Sequence, residues 1–179
     1  MLSYRQNGWK YCANWCPGRI ACNPTNPTTE PTLRDLETAA RGMGLQIQVF
    51  NAATSSEVNA VFATFVRERP DALFVAGDPF FNGRRAQLTH WATRQAVPAS
   101  YALRDYVIAG GLMSYGGNLT DAYRQAGVYT GRVLKGAKPA DLPIVQSTKF
   151  ELVINAQTAL MLGLTVPASL LTTADEVIE

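Results

Sequence analysis

The sequence has a single histidine among its 179 residues, and only 17% of its residues are charged. Lysine and arginine number 16, and aspartate and glutamate number 14. The net charge of +2 therefore offers neither the basic stripe of a nucleic-acid-binding protein nor a polybasic membrane patch. No window of about 18 apolar residues is present, so the sequence has no candidate spanning helix. Apolar residues still make up 47% of the chain, enough for the core of one globular domain or slightly more.

Motifs for catalysis and nucleotide binding are also missing. The sequence has no G-x-G-x-x-G after an apolar run, no G-x-x-x-x-G-K-[ST] loop and no G-x-S-x-G elbow. His90 lies inside a helical pattern, away from every predicted strand end, which makes it a poor base for a serine or cysteine nucleophile. We therefore predict a protein that is not an enzyme, has no catalytic residues and holds no cofactor.

The three cysteines all lie in the first 22 residues, at Cys12, Cys16 and Cys22. Their C-x3-C-x5-C spacing lacks the fourth ligand of a stable zinc site, and it does not require a disulfide. We expect structural or incidental thiols and no metal site. Residues 1–17 contain neither the apolar region of a signal peptide nor a helical or strand period, so we interpret them as an unmatched leader.

From residue 18 onward, short apolar runs alternate with amphipathic segments. The predicted strands are Arg19–Cys22, Leu45–Phe50, Ala72–Ala76, Pro98–Tyr101, Leu112–Tyr115 and Phe150–Asn155. The first four begin about 26 residues apart, which is the length of one strand with its helix rather than of a short solenoid repeat. This alternation predicts an α/β fold with a doubly wound parallel sheet. The alternating Leu45–Phe50 run indicates a strand near the sheet edge, and the fully apolar Ala72–Ala76 run a central one.

Helices are predicted between these strands. Thr54 and Glu57 form a capping box that begins one of these helices. The others are predicted at about 31–41, about 84–95, about 120–135, 156–162 and after Pro167. For the helix over 120–135, the candidate core positions are Leu119, Tyr123, Ala126, Val133 and Leu134. The helices complete the strand–helix alternation of the fold.

Polar and aromatic residues gather where the predicted strands end, which is where open α/β sheets bind ligands. The candidate ligand-binding residues are Asn23, Asp78, Phe80, Tyr101, Arg104, Tyr115 and Gly116. A carboxylate can pair with an amine, a guanidinium can bind a carboxylate, and aromatic rings supply contact area. The set favours a small polar solute with an apolar or aromatic body. Structural roles are the alternatives: a turn at Asp78, packing of Phe80 under a helix, and a surface pair of Arg104 with Asp105.

Several stretches together carry a family resemblance. They are Asn23–Pro27, Leu33–Gly44, Gly77–Arg85, Gly110–Gly116, Asp121–Gly127, Leu134–Leu142, Phe150–Asn155, Gly163–Pro167 and Ala174–Glu179. In combination they resemble the ABC transporter substrate-binding proteins of the periplasmic binding protein type I superfamily. Some relatives in that group are associated with tryptophan or other aromatic amino acids.

The resemblance implies two α/β lobes joined by a hinge of crossing strands, with a small-molecule solute bound between them and no catalysis. Residues 18–118 would form a Rossmann-like ligand-binding lobe, and 119–179 would add hinge-returning helices and a strand to an incomplete second lobe. We expect an N-terminally truncated chain. The resemblance also implies a periplasmic location and a membrane permease as partner, without nucleic acid. Apolar surface left uncovered by the missing lobe would allow a homodimer.

Three other interpretations of the same residues stay open. A small α/β enzyme could use the strand-end site, as could a ligand-sensing regulatory lobe separated from its DNA-binding part. The chain could also be a non-functional remnant of a binding protein. The leading hypothesis is a solute-binding protein whose two lobes close on the solute and whose closed form docks on the permease.

Overall fold

The computed structural model describes residues 18–144 and 149–179 of the chain. The strands in this part are β1 (Arg19–Cys22), β2 (Gln48–Asn51), β3 (Leu73–Val75), β4 (Ala99–Tyr101), β5 (Met113–Gly117), β6 (Phe150–Asn155) and β7 (Glu176–Ile178). They form one sheet in the order β2-β1-β3-β4-β5-β6-β7. Neighbouring strands are parallel except β5 and β6, which are antiparallel. The sheet is therefore mostly parallel, as the sequence predicts.

Helices connect these strands. They are α1 (Thr29–Gly42), α2 (Ser55–Glu68), α3 (Pro79–Asn82), α4 (Arg85–Arg94), α5 (Arg104–Ile108), α6 (Leu119–Leu134), α7 (Ala156–Met161) and α8 (Ala168–Leu171), with a 3-10 turn at Pro139–Asp141. The helices in the described ranges are all too short or too polar to cross a lipid bilayer.

Both faces of the sheet are covered. Ala21 and Val75 belong to a core cluster with α2 and α4, whereas their strand neighbours Ile20 and Phe74 pack with α1 on the opposite face. Successive residues of a strand point to opposite faces, so this division confirms the doubly wound arrangement. A third cluster joins β5 and β6 to α7 and α8.

The predicted positions of two strands in the sheet are confirmed. β2 lies at one edge, in line with its alternating sequence, and β3 lies inside the sheet between β1 and β4. β2 begins at Gln48 rather than at Leu45. The side chain of Leu45 instead packs against the core cluster that contains Ile20 and Leu36.

Three short elements are missing from the sequence-based prediction. The helices α3 and α5 have four and five residues, and the strand β7 has three. Elements of this length are too short for the hydrophobic pattern to repeat along them. β7 lies at the other edge of the sheet and pairs in parallel with β6.

The capping box at the start of α2 is confirmed. The Thr54 hydroxyl accepts a hydrogen bond from Glu57 N, and the Glu57 carboxylate accepts one from Thr54 N. The helix then buries Val58, Phe62 and Phe65 in the core. The Phe62 ring stacks on Trp91 of α4 with a centroid separation of 4.9 Å, so aromatic contacts hold these two helices together.

The predicted core positions of α6 are wrong. This 16-residue helix buries none of its side chains, and the exposed fractions of Tyr123 and Leu134 are 75% and 82%. Leu119, Ala126 and Val133 are exposed as well. The apolar stripe has helical spacing, but α6 connects β5 to the segment before β6 without packing on the sheet. Periodicity identified the helix, and it could not show what covers the stripe.

The segment 119–179 contributes to the same sheet. β6 begins beside the last residue of β5, at the pair Gly117–Phe150, and runs in the opposite direction. The chain thus leaves the sheet through α6 and returns at the edge that it left. The leader at 1–17, with Cys12 and Cys16, lies outside the described residues.

Candidate functional site

The first part of the site lies where β1 and β3 end. Asp78 is only 4% exposed and begins α3, where its Oδ1 accepts hydrogen bonds from Phe80 N at 2.8 Å and Phe81 N at 3.3 Å. Asn26 donates from Nδ2 to Asp78 Oδ2 at 2.7 Å, and Asn23 Nδ2 lies 3.3 Å from both carboxylate oxygens. The carboxylate of Asp78 therefore joins the loop after β1 to the turn after β3.

The loop after β1 is also fixed from within. Asn23 Oδ1 accepts a hydrogen bond from Thr25 N at 3.1 Å, and Asn26 Oδ1 accepts one from Thr28 N at 3.0 Å. These are the side chain-to-backbone bonds by which asparagine stabilises turns. Asn23 and Asp78, both predicted as ligand-binding residues, are thus brought together, and their hydrogen-bonding groups largely satisfy each other.

The two phenylalanines of α3 have different environments. Phe81 is buried in the core, whereas Phe80 stays partly exposed. The guanidinium of Arg84 lies 3.8 Å from the centroid of the Phe80 ring, within cation–π distance, and also donates to Ser55 Oγ. Phe80 thus keeps part of its ring available near the strand ends, and Phe81 has the structural role.

Tyr101 departs from its predicted place in the site. Its side chain is 1% exposed and stacks on Tyr106 with a centroid distance of 4.6 Å. The Tyr106 hydroxyl donates to Asn82 Oδ1 at 3.0 Å, but the Tyr101 hydroxyl has no hydrogen-bond partner within the described ranges. Burial raises the pKa of both phenols. Side chains alternate along β4, and this alternation directs Tyr101 into the core.

The second part of the site is a hollow of about 200 Å³, which we call the strand-end cleft. Its lining includes Leu103, Arg104, Asp105, Gly117, Tyr123 and Glu151. These residues come from the start of α5, the end of β5, the start of α6 and the start of β6. The two strands and α5 therefore meet the first turns of α6 at one place.

The charged groups of the strand-end cleft have unequal partners. Arg104 donates from Nη2 to Glu176 of β7, 2.9 Å from Oε2 and 3.2 Å from Oε1. The predicted alternative, a pair between Arg104 and Asp105, is not what is observed. Glu151 Oε2 accepts a hydrogen bond from the uncharged amide of Asn118 at 2.8 Å. Asp105 is exposed and has no ion pair in the part of the chain that is described.

The remaining predicted site residues lie in β5, next to the strand-end cleft. Tyr115 is half-buried, and its ring stacks on Phe150 with centroids 6.3 Å apart. Gly116 is buried and pairs with Glu151 of β6. These two residues hold the point where the chain leaves the sheet, and they place Glu151 at the carboxyl end of β5.

Sequence reasoning missed Glu151 and Tyr123 as cleft residues. Glu151 stands at the beginning of a strand, which in an all-parallel sheet would lie at the opposite edge. The antiparallel return of β6 brings it to the site. Tyr123 carried the signal of an apolar helix position, which suggested the core instead.

Cys22 and His90 belong neither to the hydrogen-bonded group around Asp78 nor to the strand-end cleft. Cys22 is fully buried, donates from Sγ to Asn51 Oδ1 at 3.2 Å, and has its pKa raised by burial. His90 is exposed on α4. Over the two described ranges, no group of three or more histidine, cysteine, aspartate or glutamate side chains is placed to hold a metal ion. The chemistry that the site offers is hydrogen bonding, ion pairing and aromatic contact.

Three of the solved structures that share this fold illustrate the match. One is an ABC domain from Streptococcus pneumoniae in complex with L-Trp, with a TM-score of 0.87 and 23% identity, matching 98% of this chain. The second is a conserved domain protein from Vibrio cholerae, with a TM-score of 0.80, 22% identity and 89% of this chain matched. The third is a ligand-free, open substrate-binding protein with adhesive properties from Clostridium difficile, with a TM-score of 0.68, 20% identity and 96% of this chain matched.

The chain spans only part of each of these proteins, namely 62%, 54% and 58% of their respective lengths. No curated protein matches the sequence. The family model described as ABC transporter substrate binding protein matches residues 19–178, nearly the whole sequence. The chain therefore belongs to the ABC transporter substrate-binding protein family.

Proposed function

We propose that this chain forms the solute-binding part of an ABC-type importer and holds a small polar or aromatic organic solute, such as an amino acid, without altering it. The observation that carries the proposal is the strand-end cleft, where Arg104, Asp105, Glu151 and Tyr123 meet at the carboxyl edge of the sheet. This edge is the usual ligand position in open α/β sheets. The family match supports the binding role, and the L-Trp in the complex from Streptococcus pneumoniae supports an amino acid as solute.

The division of labour along the chain is part of the proposal. Residues 18–118 would form most of the ligand-binding lobe, with Asn23, Asp78, Phe80 and Arg104 at its rim, and β6 and β7 complete its sheet. Residues 119–179 would carry the hinge, with Tyr115 and Gly116 just before it. The exposed α6 supports this division, because it leaves the sheet at Asn118 and buries nothing against it.

The partner of α6 is the next element of the proposal. Ala126, Tyr129, Val133, Leu142 and Ile144 line a groove of about 660 Å³, which we call the α6 groove. The relatives have additional chain length that this sequence does not match. We propose that a further lobe of that kind covers the α6 groove and completes the solute site. A homodimer through the same surface is the competing occupant, and association measurements distinguish the two.

Membership of the family also supports a permease and an extracytoplasmic location. We propose that solute contacts from both lobes favour a closed form, and that the closed form docks on the permease from the periplasmic side. A ligand that contacts both lobes shifts the population only by its difference in affinity for the two forms. In this proposal the chain supplies only the contacts of one lobe. We therefore expect this chain alone to bind its solute weakly.

The alternative of a small α/β enzyme gains little from the site. The Asp78 carboxylate, its strongest candidate group, already accepts hydrogen bonds from Asn23, Asn26, Phe80 and Phe81. A turnover screen on amides, esters and phosphoesters that compares the chain with its Asp78→Ala variant tests this alternative. Turnover that disappears in the variant would favour the enzyme, as long as the variant is folded by circular dichroism.

Binding is tested by titrating the ¹⁵N-labelled chain with the common amino acids and following its backbone amide resonances. We expect saturable shifts at Gly117 and Thr120, which line the strand-end cleft. A Tyr123→Ala variant, which removes the aromatic ring from the cleft lining, should weaken them, whereas Val128→Ala, an exposed position on the same helix outside the cleft, should not. Shifts confined to residues outside the strand ends, or no saturable shift for any compound, would contradict the proposed function.

A further inference from the structure

The charges of the strand-end cleft do not balance. Arg104 is its guanidinium, and Glu176 already occupies Nη2 of that group. Asp105 and Glu151 add two further carboxylates to the lining. With Glu176, which pairs with Arg104 from outside the lining, these groups comprise three carboxylates and one guanidinium, a formal sum of −2.

Two cations near the cleft, Arg124 and Lys149, act on Asp121 of α6. Arg124 pairs with Asp121 at 2.9 Å, and Lys149 acts through its charge. Glu151 receives its hydrogen bond from Asn118, an uncharged amide, on Oε2. Within the described ranges, Glu151 has no ion pair, and its Oε1 accepts no hydrogen bond and is open to a further donor.

The shape of the cleft limits what can balance this charge. A hollow of about 200 Å³ holds a small organic group rather than a macromolecular segment. Leu103 and the exposed ring of Tyr123 supply apolar and aromatic surface beside the carboxylates. A protonated amine attached to an apolar body matches both features, because aromatic rings also attract cations.

We infer that the strand-end cleft is the subsite for a protonated amine of the solute, which Asp105 and Glu151 hold by charge-assisted hydrogen bonds, while Arg104 is kept by Glu176. This inference rests on the proposed function and specifies which end of the solute this lobe recognises. It differs from the expectation drawn from the sequence, in which Asp78 pairs with an amine. A solute that carries a carboxylate and no amine is disfavoured here, because the carboxylates of the cleft repel the negative charge of the solute.

Three probes with the same phenyl ring and two-carbon spacer test the inference: 2-phenylethylamine, L-phenylalanine and 3-phenylpropionate. Each is titrated at one fixed ionic strength into the ¹⁵N-labelled chain, and the amides of Gly117 and Thr120 are followed. We expect both amine-bearing probes to bind at least about ten-fold more tightly than 3-phenylpropionate, as for hydrogen bonds to charged groups. Glu151→Gln and Asp105→Asn should reduce this ratio, and Glu37→Gln on exposed α1 should leave it unchanged.

The outcomes separate the two claims. Glu151→Gln keeps an acceptor for Asn118, so the loss of preference is not a loss of that hydrogen bond. Equal binding of all three probes, or a ratio that survives both carboxamide variants, overturns the amine subsite and leaves the binding function standing. Absence of saturable shifts with every probe and with the amino acid panel overturns both.

Discussion

Asn26 donates a 2.7 Å hydrogen bond to Asp78 across 52 positions of sequence, and this bond ties the loop after β1 to the N-terminus of α3. Asp78 is 4% exposed, and its two oxygens accept from Asn23, Asn26, Phe80 and Phe81. A buried carboxylate with this many donors organises its surroundings. The rim of the proposed solute site therefore depends on Asp78 as a positioning residue.

Replacing Asp78 should destabilise the fold. Asp78→Ala removes the cap of α3, worth about 1 kcal/mol. It also leaves the buried amide of Asn23 and the half-buried amide of Asn26 without an acceptor, at about 1–3 kcal/mol. We expect the free energy of unfolding to fall by about 2–4 kcal/mol, measured by urea denaturation. Glu37→Ala, an exposed position on α1, should change it by less than about 0.5 kcal/mol.

A reciprocal exchange distinguishes this bond from general damage. In Asp78→Asn alone, the new NH2 group faces the NH2 group of Asn26, so two donors meet. The double variant Asp78→Asn/Asn26→Asp restores a donor–acceptor pair and keeps an acceptor for Phe80 N. The double variant should be more stable than the sum of the single effects predicts, by about 1 kcal/mol. Strict additivity would show that the bond does not couple the two residues.

The stacked tyrosines allow a matched comparison. The Tyr106 hydroxyl donates to Asn82, and the Tyr101 hydroxyl is buried without a partner in the described structure. Removing a satisfied hydroxyl costs about 0.5–1.5 kcal/mol, and removing an unsatisfied buried one is neutral or stabilising. Urea denaturation should therefore show a loss for Tyr106→Phe and none for Tyr101→Phe. Equal losses in the two variants would mean that Tyr101 also has a hydrogen-bond partner.

Much of the fold can be predicted from the sequence because local signals and topology agree there. The alternation of Leu45–Phe50 indicated an edge strand, the apolar Ala72–Ala76 run a central one, and Thr54 with Glu57 the start of α2. Each of these patterns corresponds to the exposed or buried environment that its residues have in the folded protein. β7 and α5 lacked such a signal because they are too short for the hydrophobic pattern to repeat.

The site was harder to predict because it depends on direction as well as on position. Tyr101 follows the right strand, but the alternation of side chains turns it into the core. Glu151 reaches the site only because β6 runs antiparallel to β5, which nothing in residues 150–155 specifies. Asp78 was correctly placed at the edge, and only the structure shows how many donors it already has.

Alkaline pH should destabilise the protein through the two stacked phenols. Burial raises the pKa of Tyr101 and Tyr106 above the ordinary value of 10.0. The folded state therefore holds these protons when the unfolded state releases them, so stability is intact below about pH 10 and falls as the pH rises beyond it. The free energy of unfolding, measured by urea denaturation from neutral pH upward, should decline above that point.

Phenylalanine at both positions should flatten this decline. The double variant Tyr101→Phe/Tyr106→Phe removes both titrating groups and keeps the stacked rings. Tyr123→Phe is the control, since the Tyr123 side chain is 75% exposed and its phenol stays in water. If the double variant loses stability with pH as steeply as the original protein, other groups govern the alkaline limit.

The α6 groove should matter for association and not for folding of the sheet. Leu134 is 82% exposed, so Leu134→Lys should change the free energy of unfolding by less than about 0.5 kcal/mol. Phe65→Ala, by contrast, opens a cavity beside Phe50 and Phe62 and should lower the free energy of unfolding by about 3–5 kcal/mol.

Light scattering measures the other half of the same prediction. An apolar groove of about 660 Å³ that is open to water favours self-association at high concentration, and a lysine at its edge should reduce this association. Exposed Gln46→Lys, in the loop between α1 and β2, is the control for the added positive charge alone. A large loss of stability in Leu134→Lys would mean that α6 packs on the rest of the chain, and the proposal of a separate covering lobe would then fail.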